Sequence, residues 1–506
     1  MTPTAVKQPP RLSVQAFWLT VSKFIAALLN IALPVLLVRL MAQTEYGVYK
    51  QAFLFSGTVT SMAMFGVGMS AFYFMPRFPE RGGQIALNIL VYNFIAGCLP
   101  LLVLAIYPQV LQRLFRTSDL EPLALLLGLL VLFTLTSSLV QQIPTAMQDV
   151  RWSTIFIVGT QLSRVIVLAL TAFIFGSIKS LIVATTLHQA ASVLVLFWYL
   201  HGRFPGFWKH FDWTFFKEQL AYALPYGAFG LLWVVQRDLD NYFVSATLGP
   251  RDYAIYAVGW LDVPLIWLLL ESVASVMIMR ISKLQQEGRK LEIRALTAEA
   301  TNRLAAIQFP LFALLLVAGH DLILLLYTRA YEKSADIFLV TILLLPIGVL
   351  MLDPIVRAYK EMRNFVLGVR IATFLTLCCV LLPVIRHFGM MGAAITAVSA
   401  RLLENVVIGW RVARMVDASL KDLALYRDSF KVSALTIAAA TVAYLVRNLI
   451  RPQLLAPRIV VVGLCLAAIY LPGVPAFRLP GYDYLTKDRL VRFARSTLAR
   501  LRSASA

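Results

Sequence analysis

The chain has 506 residues, of which 59% are hydrophobic and only 14% charged, with 46 Lys and Arg against 26 Asp and Glu for a net charge of +20. Soluble domains carry about 25% charged residues, so this composition excludes a string of water-soluble domains and fits a polytopic membrane protein whose length supplies spans of about 20 apolar residues each. The cationic excess suits the anionic inner surface of a membrane, where each basic residue gains about 1 kcal/mol, and nucleic acid binding need not be invoked.

The opening MTPTAVKQPPRLS is short and polar, and the apolar stretch after it is long enough to stay as a helix, so no cleavable signal peptide is expected. Apolar runs place helices near 14–40, 50–74, 84–107, 121–143, 152–175, 178–200, 218–248, 253–279, 301–327, 335–357, 364–385, 389–410, 430–449 and 455–472. Pro457 and Gly463 interrupt the last, which also reads as a re-entrant or interfacial segment, so the expectation is an all-α protein of 12–14 spans. More than twice as many Lys and Arg fall on the side of the N-terminus as on the other, which places both termini in the cytoplasm. The linker HGRFPGFWKHFDWTFFKEQ mixes aromatic rings with cations, as a headgroup-level connector does. At the far end Leu490, Phe493, Leu498 and Leu501 recur at helical spacing among six basic residues, predicting a basic amphipathic helix on the inner leaflet. Cys98, Cys378, Cys379 and Cys465 lie in apolar runs without metal-ligand spacing and read as small buried hydrophobes.

One pattern occurs twice. MAQTEYGVYKQA begins at 41 and LGPRDYAIYAVG at 248, about 207 residues later, aligning Glu45 with Asp252, Tyr46 with Tyr253 and Tyr49 with Tyr256. Each copy ends the first long helix of its half, and six intervening spans put both on one side, predicting parallel repeats with a substrate between two lobes. The domains follow: a six-helix lobe at 1–205, an interfacial linker at 206–217, a second six-helix lobe at 218–412, and extra C-terminal helices with the basic tail at 413–506.

The stretches LMAQTEYGVYKQAFLFSGTVTSMAMFGVGMSAFYFMPRF and YALPYGAFGLLWVVQRDLDNYFVSATLGPRDYAIYAVG resemble the first-hairpin and seventh-helix patterns of polysaccharide flippases in the multidrug/oligosaccharidyl-lipid/polysaccharide exporter superfamily. That resemblance implies a V-shaped bundle of two six-helix lobes, alternating access in a bacterial inner membrane, and passage of a lipid-linked sugar headgroup through the central cavity. It also implies lipid-linked oligosaccharide as substrate and polysaccharide polymerase machinery as a partner, while anionic lipids as partners follow from the net charge of +20.

Ionisable side chains within spans are costly and mark cavities or partners. Lys23 shares a polar face with Asn30 and Pro34 in the first helix, and Arg164, one turn after Gln161, lies too deep in the fifth to snorkel. In the seventh, Tyr222, Tyr226, Phe229, Trp233, Arg237 and Asp240 form one stripe. Rings can carry sugar faces and guanidinium holds phosphate through paired donors, although such a stripe equally serves packing or lipid contact. Arg401 and Glu404 repeat the i, i+3 spacing of Arg237 and Asp240, which also reads as internal ion pairing. The candidate substrate-binding set is therefore Lys23, Arg164, Arg237, Arg401, Tyr222, Tyr226 and Trp233, with Asp240 and Glu404 as coupling or counter-charges. The N-terminal lobe has Lys23 and Arg164 at membrane depth and no carboxylate there, which favours an anionic pyrophosphate headgroup over the amphipathic cations of the alternative, a cation-coupled multidrug exporter. A membrane-embedded glycosyltransferase would need an outer loop bearing acid or metal chemistry. The outer loops are short and neither His/Asp/Glu ligand clusters nor a GxxxxGK[ST] loop occurs, so no enzyme activity, metal or cofactor is expected.

Overall fold

The computed structural model describes residues 12–479 except 210, 262, 451–453 and 478; the basic tail at 487–502 lies outside the described residues. These residues are helical, with no strand among them. The first stretch runs through α1 (Leu12–Leu40), α2 (Gln43–Met64), α3 (Ser70–Arg77), α4 (Gly82–Ile106), α5 (Gln109–Phe115), α6 (Ala124–Ser137), α7 (Leu139–Ala146), α8 (Val150–Phe175), α9 (Ile178–Arg203) and α10 (Trp213–Gly259). It continues through α11 (Pro264–Gln286), α12 (Lys290–Tyr327), α13 (Glu332–Thr341), α14 (Leu345–Gly348), α15 (Leu352–Ala358), α16 (Lys360–Met415), α17 (Arg427–Leu449) and α18 (Leu455–Ala476).

By length and composition nine of the described helices could cross a bilayer, and two bent pairs raise this to eleven. Those pairs are Gln43–Met64 with Val67–Arg77, bent by 55°, and Arg329–Gly348 with Leu352–Ala358, bent by 54°. Two glycines divide longer helices: Gly389 (φ 60) splits α16 into two span-length pieces, and Gly249 (φ 83) breaks α10. Both occupy the positive-φ region that a residue without Cβ enters at little cost. With α10 and α11, every predicted span position coincides with a helical segment.

The chain forms two compact units, Met1–Ala257 with Thr376–Ala393, and Val258–Leu375 with Ala394–Ala506. Within the first, the core joins Val67, Phe74, Ile85, Ile89, Leu139 and Leu196 to the linker rings Phe207 and Phe215. Phe216 is buried too and Phe204 packs against this core, while Trp208, Phe211 and Trp213 are exposed: Trp208 stacks on His201 with centroids 5.4 Å apart, and Lys217 lies 5.3 Å over Trp213.

The same unit packs α2 and α3 against α10 in antiparallel register from end to end. Arg251 Nε donates to Gln43 Oε1 (3.1 Å), Gln51 Nε2 to Ser245 Oγ (2.8 Å), Tyr242 OH to the Leu54 carbonyl (3.5 Å) and Thr58 Oγ1 to Asp238 Oδ2 (2.7 Å). At the far end Gln219 bridges Asn88 (2.7 Å) and Ser70 (3.4 Å). A Cβ on Gly47 would stand 1.9 Å from the Pro250 carbonyl oxygen, so the two acid-Tyr motifs meet at a point where only glycine fits.

The second unit centres on α12. At one end Lys290 pairs with Asp417 (2.8 Å), Arg294 pairs with Asp422 (2.6 Å), and Asn302 bonds the Leu425 carbonyl and Ser429. The connections before α12 and before α17 therefore lie at the same end of this unit, as helices of equal parity require. The backbone N–H of Ser419 and the Arg294 guanidinium hold the Asp422 carboxyl below the ordinary carboxylate range.

Gly47→Ala should lower the thermal unfolding midpoint of detergent-purified protein, because overpacking against fixed backbone costs about 1–3 kcal/mol. Asp422→Asn should lower the midpoint at pH 7, where the wild-type carboxylate is ionised. The lowered carboxyl contributes stability above its unfolded value of 3.8 and loses it as pH falls through the still lower folded value, so the gap between wild type and variant should close below that pH.

Candidate functional site

The described intramembrane charges divide into those answered by an opposite charge and those met by rings or hydroxyls. In the first unit α8 presents Arg164 toward α2: its guanidinium lies 5.6 Å over the Phe53 ring and near Tyr49, the second tyrosine of the acid-Tyr motif. His188 of α9 lies within electrostatic reach of Arg164 and bonds Ser163 (2.9 Å). No carboxylate pairs with Arg164 among the described residues, and its buried Nε is without a hydrogen-bond partner. One turn earlier, Gln161 donates to Asn30 (2.6 Å), so the polar face of α1 meets α8. Lys23 is exposed on α1.

Along α10 the stripe resolves into separate environments. Tyr222 stacks on Tyr73 of α3, with centroids 4.3 Å apart and ring planes inclined by 27°. The side chain of Tyr226 lies outside the described ones. Trp233 is exposed, and the Arg237 guanidinium lies 5.0 Å over it. Arg237 forms a forked pair with Asp238, at 2.8 and 3.1 Å, and Asp238 in turn accepts from Thr58. Asp240, 2% exposed, accepts from Tyr256 at 2.6 Å. Tyr256 is the repeat equivalent of Tyr49, so the same motif tyrosine faces a cation in one copy and a carboxylate in the other.

Asp238 was not singled out by stripe spacing, because it lies off the i, i+3 row that joins Arg237 to Asp240. In the second unit Arg370 pairs with Glu404 (3.4 Å), across the two pieces of α16, and Arg401 lies 4.5 Å over Trp260. A further group falls outside the candidate set altogether. Asp321 of α12, 1% exposed, accepts from Arg447 of α17 (2.7 Å) and Arg458 of α18 (3.1 Å), clamping the last two helices to α12. No group of three or more His, Cys, Asp or Glu that could hold a metal occurs among the described residues.

Residues 36–336 match the model of a family described as polysaccharide biosynthesis protein. The fold is similar to that of lipid II flippase MurJ in an inward closed conformation, with a TM-score of 0.69 at 15% identity over 93% of this chain and 100% of that one. A P26A mutant of a MATE protein matches with a TM-score of 0.53 at 16% identity, covering 80% and 96% of the two chains. A transporter of the MOP superfamily from Pyrococcus furiosus matches at 0.54 and 15% identity, again over 80% and 96%. At such identities the likeness is one of fold. No curated protein sequence matches the chain.

Asp321→Asn should leave two guanidiniums buried around a neutral amide, at a cost of about 3–5 kcal/mol for breaking a buried pair. The expected outcome is a lower unfolding midpoint and faster proteolysis between α17 and α18 in detergent.

Proposed function

Because the chain belongs to the polysaccharide biosynthesis protein family, we propose that it is a flippase that carries a polyprenyl-pyrophosphate-linked oligosaccharide from the cytoplasmic to the outer leaflet of the bacterial inner membrane. Transport proceeds by alternating access of the two six-helix lobes, with both termini cytoplasmic, and the product is passed to polysaccharide polymerase machinery. Membership and fold support a lipid-linked flippase or transporter of the MOP superfamily. The pyrophosphate headgroup is our reading of the charges.

One observation carries that reading. Arg164 and Arg370 stand about 206 residues apart, within one residue of the repeat offset, yet Arg370 is paired with Glu404 while Arg164 meets rings and hydroxyls. The first half thus keeps an uncompensated guanidinium where the second has neutralised its own. Such a cation at low dielectric attracts an anion strongly, and guanidinium suits phosphate through paired donors. Lys23, Arg237 and Arg401 are assigned supporting contacts to the headgroup, and Trp233, Tyr222 and Tyr226 to its sugars. With the cell interior negative, moving about two negative charges outward across roughly 150 mV gains about 7 kcal/mol, enough to drive the step without nucleotide hydrolysis.

The rival reading, a cation-coupled multidrug exporter, draws on Asp238 and Asp240, buried carboxylates of the kind a coupling ion needs. Surface polysaccharide separates the two. Arg164→Ala should abolish it with the protein still inserted and its unfolding midpoint near wild type, and Arg164→Lys should restore part of it. Arg370→Ala, which removes a cation paired with Glu404, should instead lower the midpoint. Normal export by Arg164→Ala, or active expulsion of cationic dye by reconstituted protein that moves no pyrophosphate-linked glycolipid, would sink the flippase reading in favour of the exporter.

A further inference from the structure

A second cationic and aromatic site lies where the α2–α3 bend meets the start of α10, inside the first unit. Gly66, Met69, Phe72, Tyr73, Arg77, Tyr222 and Ala223 line a cavity of about 260 Å3. Tyr73 and Tyr222 stack within it, and the Arg77 guanidinium lies 3.8 Å over the Tyr73 ring. Arg77 Nη1 donates to the Tyr73 carbonyl (2.9 Å), which anchors one edge of the guanidinium. No carboxylate pairs with Arg77 among the described residues, and the side chain is exposed, so its remaining donors stay available.

Each component asks for part of one ligand. Tyr73, with Tyr222 on one face and Arg77 on the other, holds both in place; the outer face of Tyr222 offers an amphipathic surface for the apolar face of a sugar, and the unneutralised guanidinium offers forked donors to a phosphate ester. The cavity is smaller than the roughly 300–1,000 Å3 of pockets for drug-sized ligands, a size that suits one ring and its phosphate, with the rest of a longer glycan outside it. Its setting is the end of the second span, beside the short connection of Pro79–Arg81 to α4, where a polar headgroup can arrive from the water phase.

We propose that Tyr73, Tyr222 and Arg77 form a sugar-phosphate subsite that receives the phosphate-proximal sugar of the lipid-linked glycan before translocation and so selects which first sugar is accepted. This rests on the flippase reading, and it adds a specificity site distinct from Arg164.

Binding tests it directly. Full-length protein in phosphatidylcholine nanodiscs would be titrated with glucose 1-phosphate, galactose 1-phosphate and N-acetylglucosamine 1-phosphate, followed by saturation-transfer NMR, with inorganic phosphate and the free sugars as comparisons. At least one sugar phosphate should bind more tightly than phosphate or its own free sugar. Arg77→Gln and Tyr222→Ala should each weaken it at least tenfold, while Tyr73→Phe, which keeps the ring, should not. Absence of binding by all three, equal binding of inorganic phosphate, or undiminished binding by Arg77→Gln would overturn the subsite. So would loss of binding in discs containing phosphatidylglycerol, which would assign the site to a lipid phosphate. Glycolipid flipping is measured on the same preparations: flipping without sugar-phosphate binding rejects the subsite alone, and specific binding without any flipping rejects the transport reading and leaves the site.

Discussion

A charge held at membrane depth must be met by an opposite charge, by a ring or hydroxyl, or by a ligand, since neither lipid nor a close-packed helix interior solvates it. Much of this chain's polar architecture follows from how each case is resolved. Asp321 is answered by Arg447 and Arg458, Glu404 by Arg370, and Asp238 by Arg237 with Thr58. Arg164 is placed against the Phe53 ring, an arrangement that leaves its charge unneutralised while limiting its cost, and Arg77, at a helix end, lies over the Tyr73 ring in the same way.

The antiparallel seam of α2 and α3 with α10 uses this economy along its whole length. Glutamine, serine and threonine hydroxyls and amides pair across it, where apolar residues would have produced a nonspecific contact. Directional bonds fix the register, and Gly47 and Gly66 let backbone approach backbone where side chains would hold the helices apart. The acid-Tyr repeat gains a structural meaning from this seam. Its two copies meet at Gly47 and Pro250, and the tyrosines buried behind them reach inward to charges of opposite sign.

The spans were legible because a run of about 20 apolar residues has few alternatives in water or lipid, and loops between them are marked by proline, glycine and charge. The breaks at Gly249 and Gly389 coincide with predicted span boundaries for the same reason. Pairings were far less legible. Spacing along one helix pointed from Arg237 to Asp240 and gave no sign of Asp238, because a guanidinium on a flexible stem can also fold onto the adjacent residue. The spacing of Arg401 and Glu404 gave no sign that Glu404 also pairs with Arg370, a contact that crosses between helices and leaves no periodic trace. Nothing in the local sequence around Tyr73 and Arg77 announces that Tyr222 stacks there.

The clamp at Asp321 bears on how the molecule is made. During synthesis α12 precedes α17 and α18 by more than a hundred residues, so its aspartate enters the bilayer before either arginine exists. Until then the carboxyl has no cationic partner, and Arg447 and Arg458, near the turn joining the last two helices, lack their counter-ion until that hairpin reaches α12. Insertion of the final pair is thereby tied to docking: the hairpin and its receptor helix each complete a membrane segment that the other could not finish alone, which makes the C-terminal helices the closing step of biogenesis.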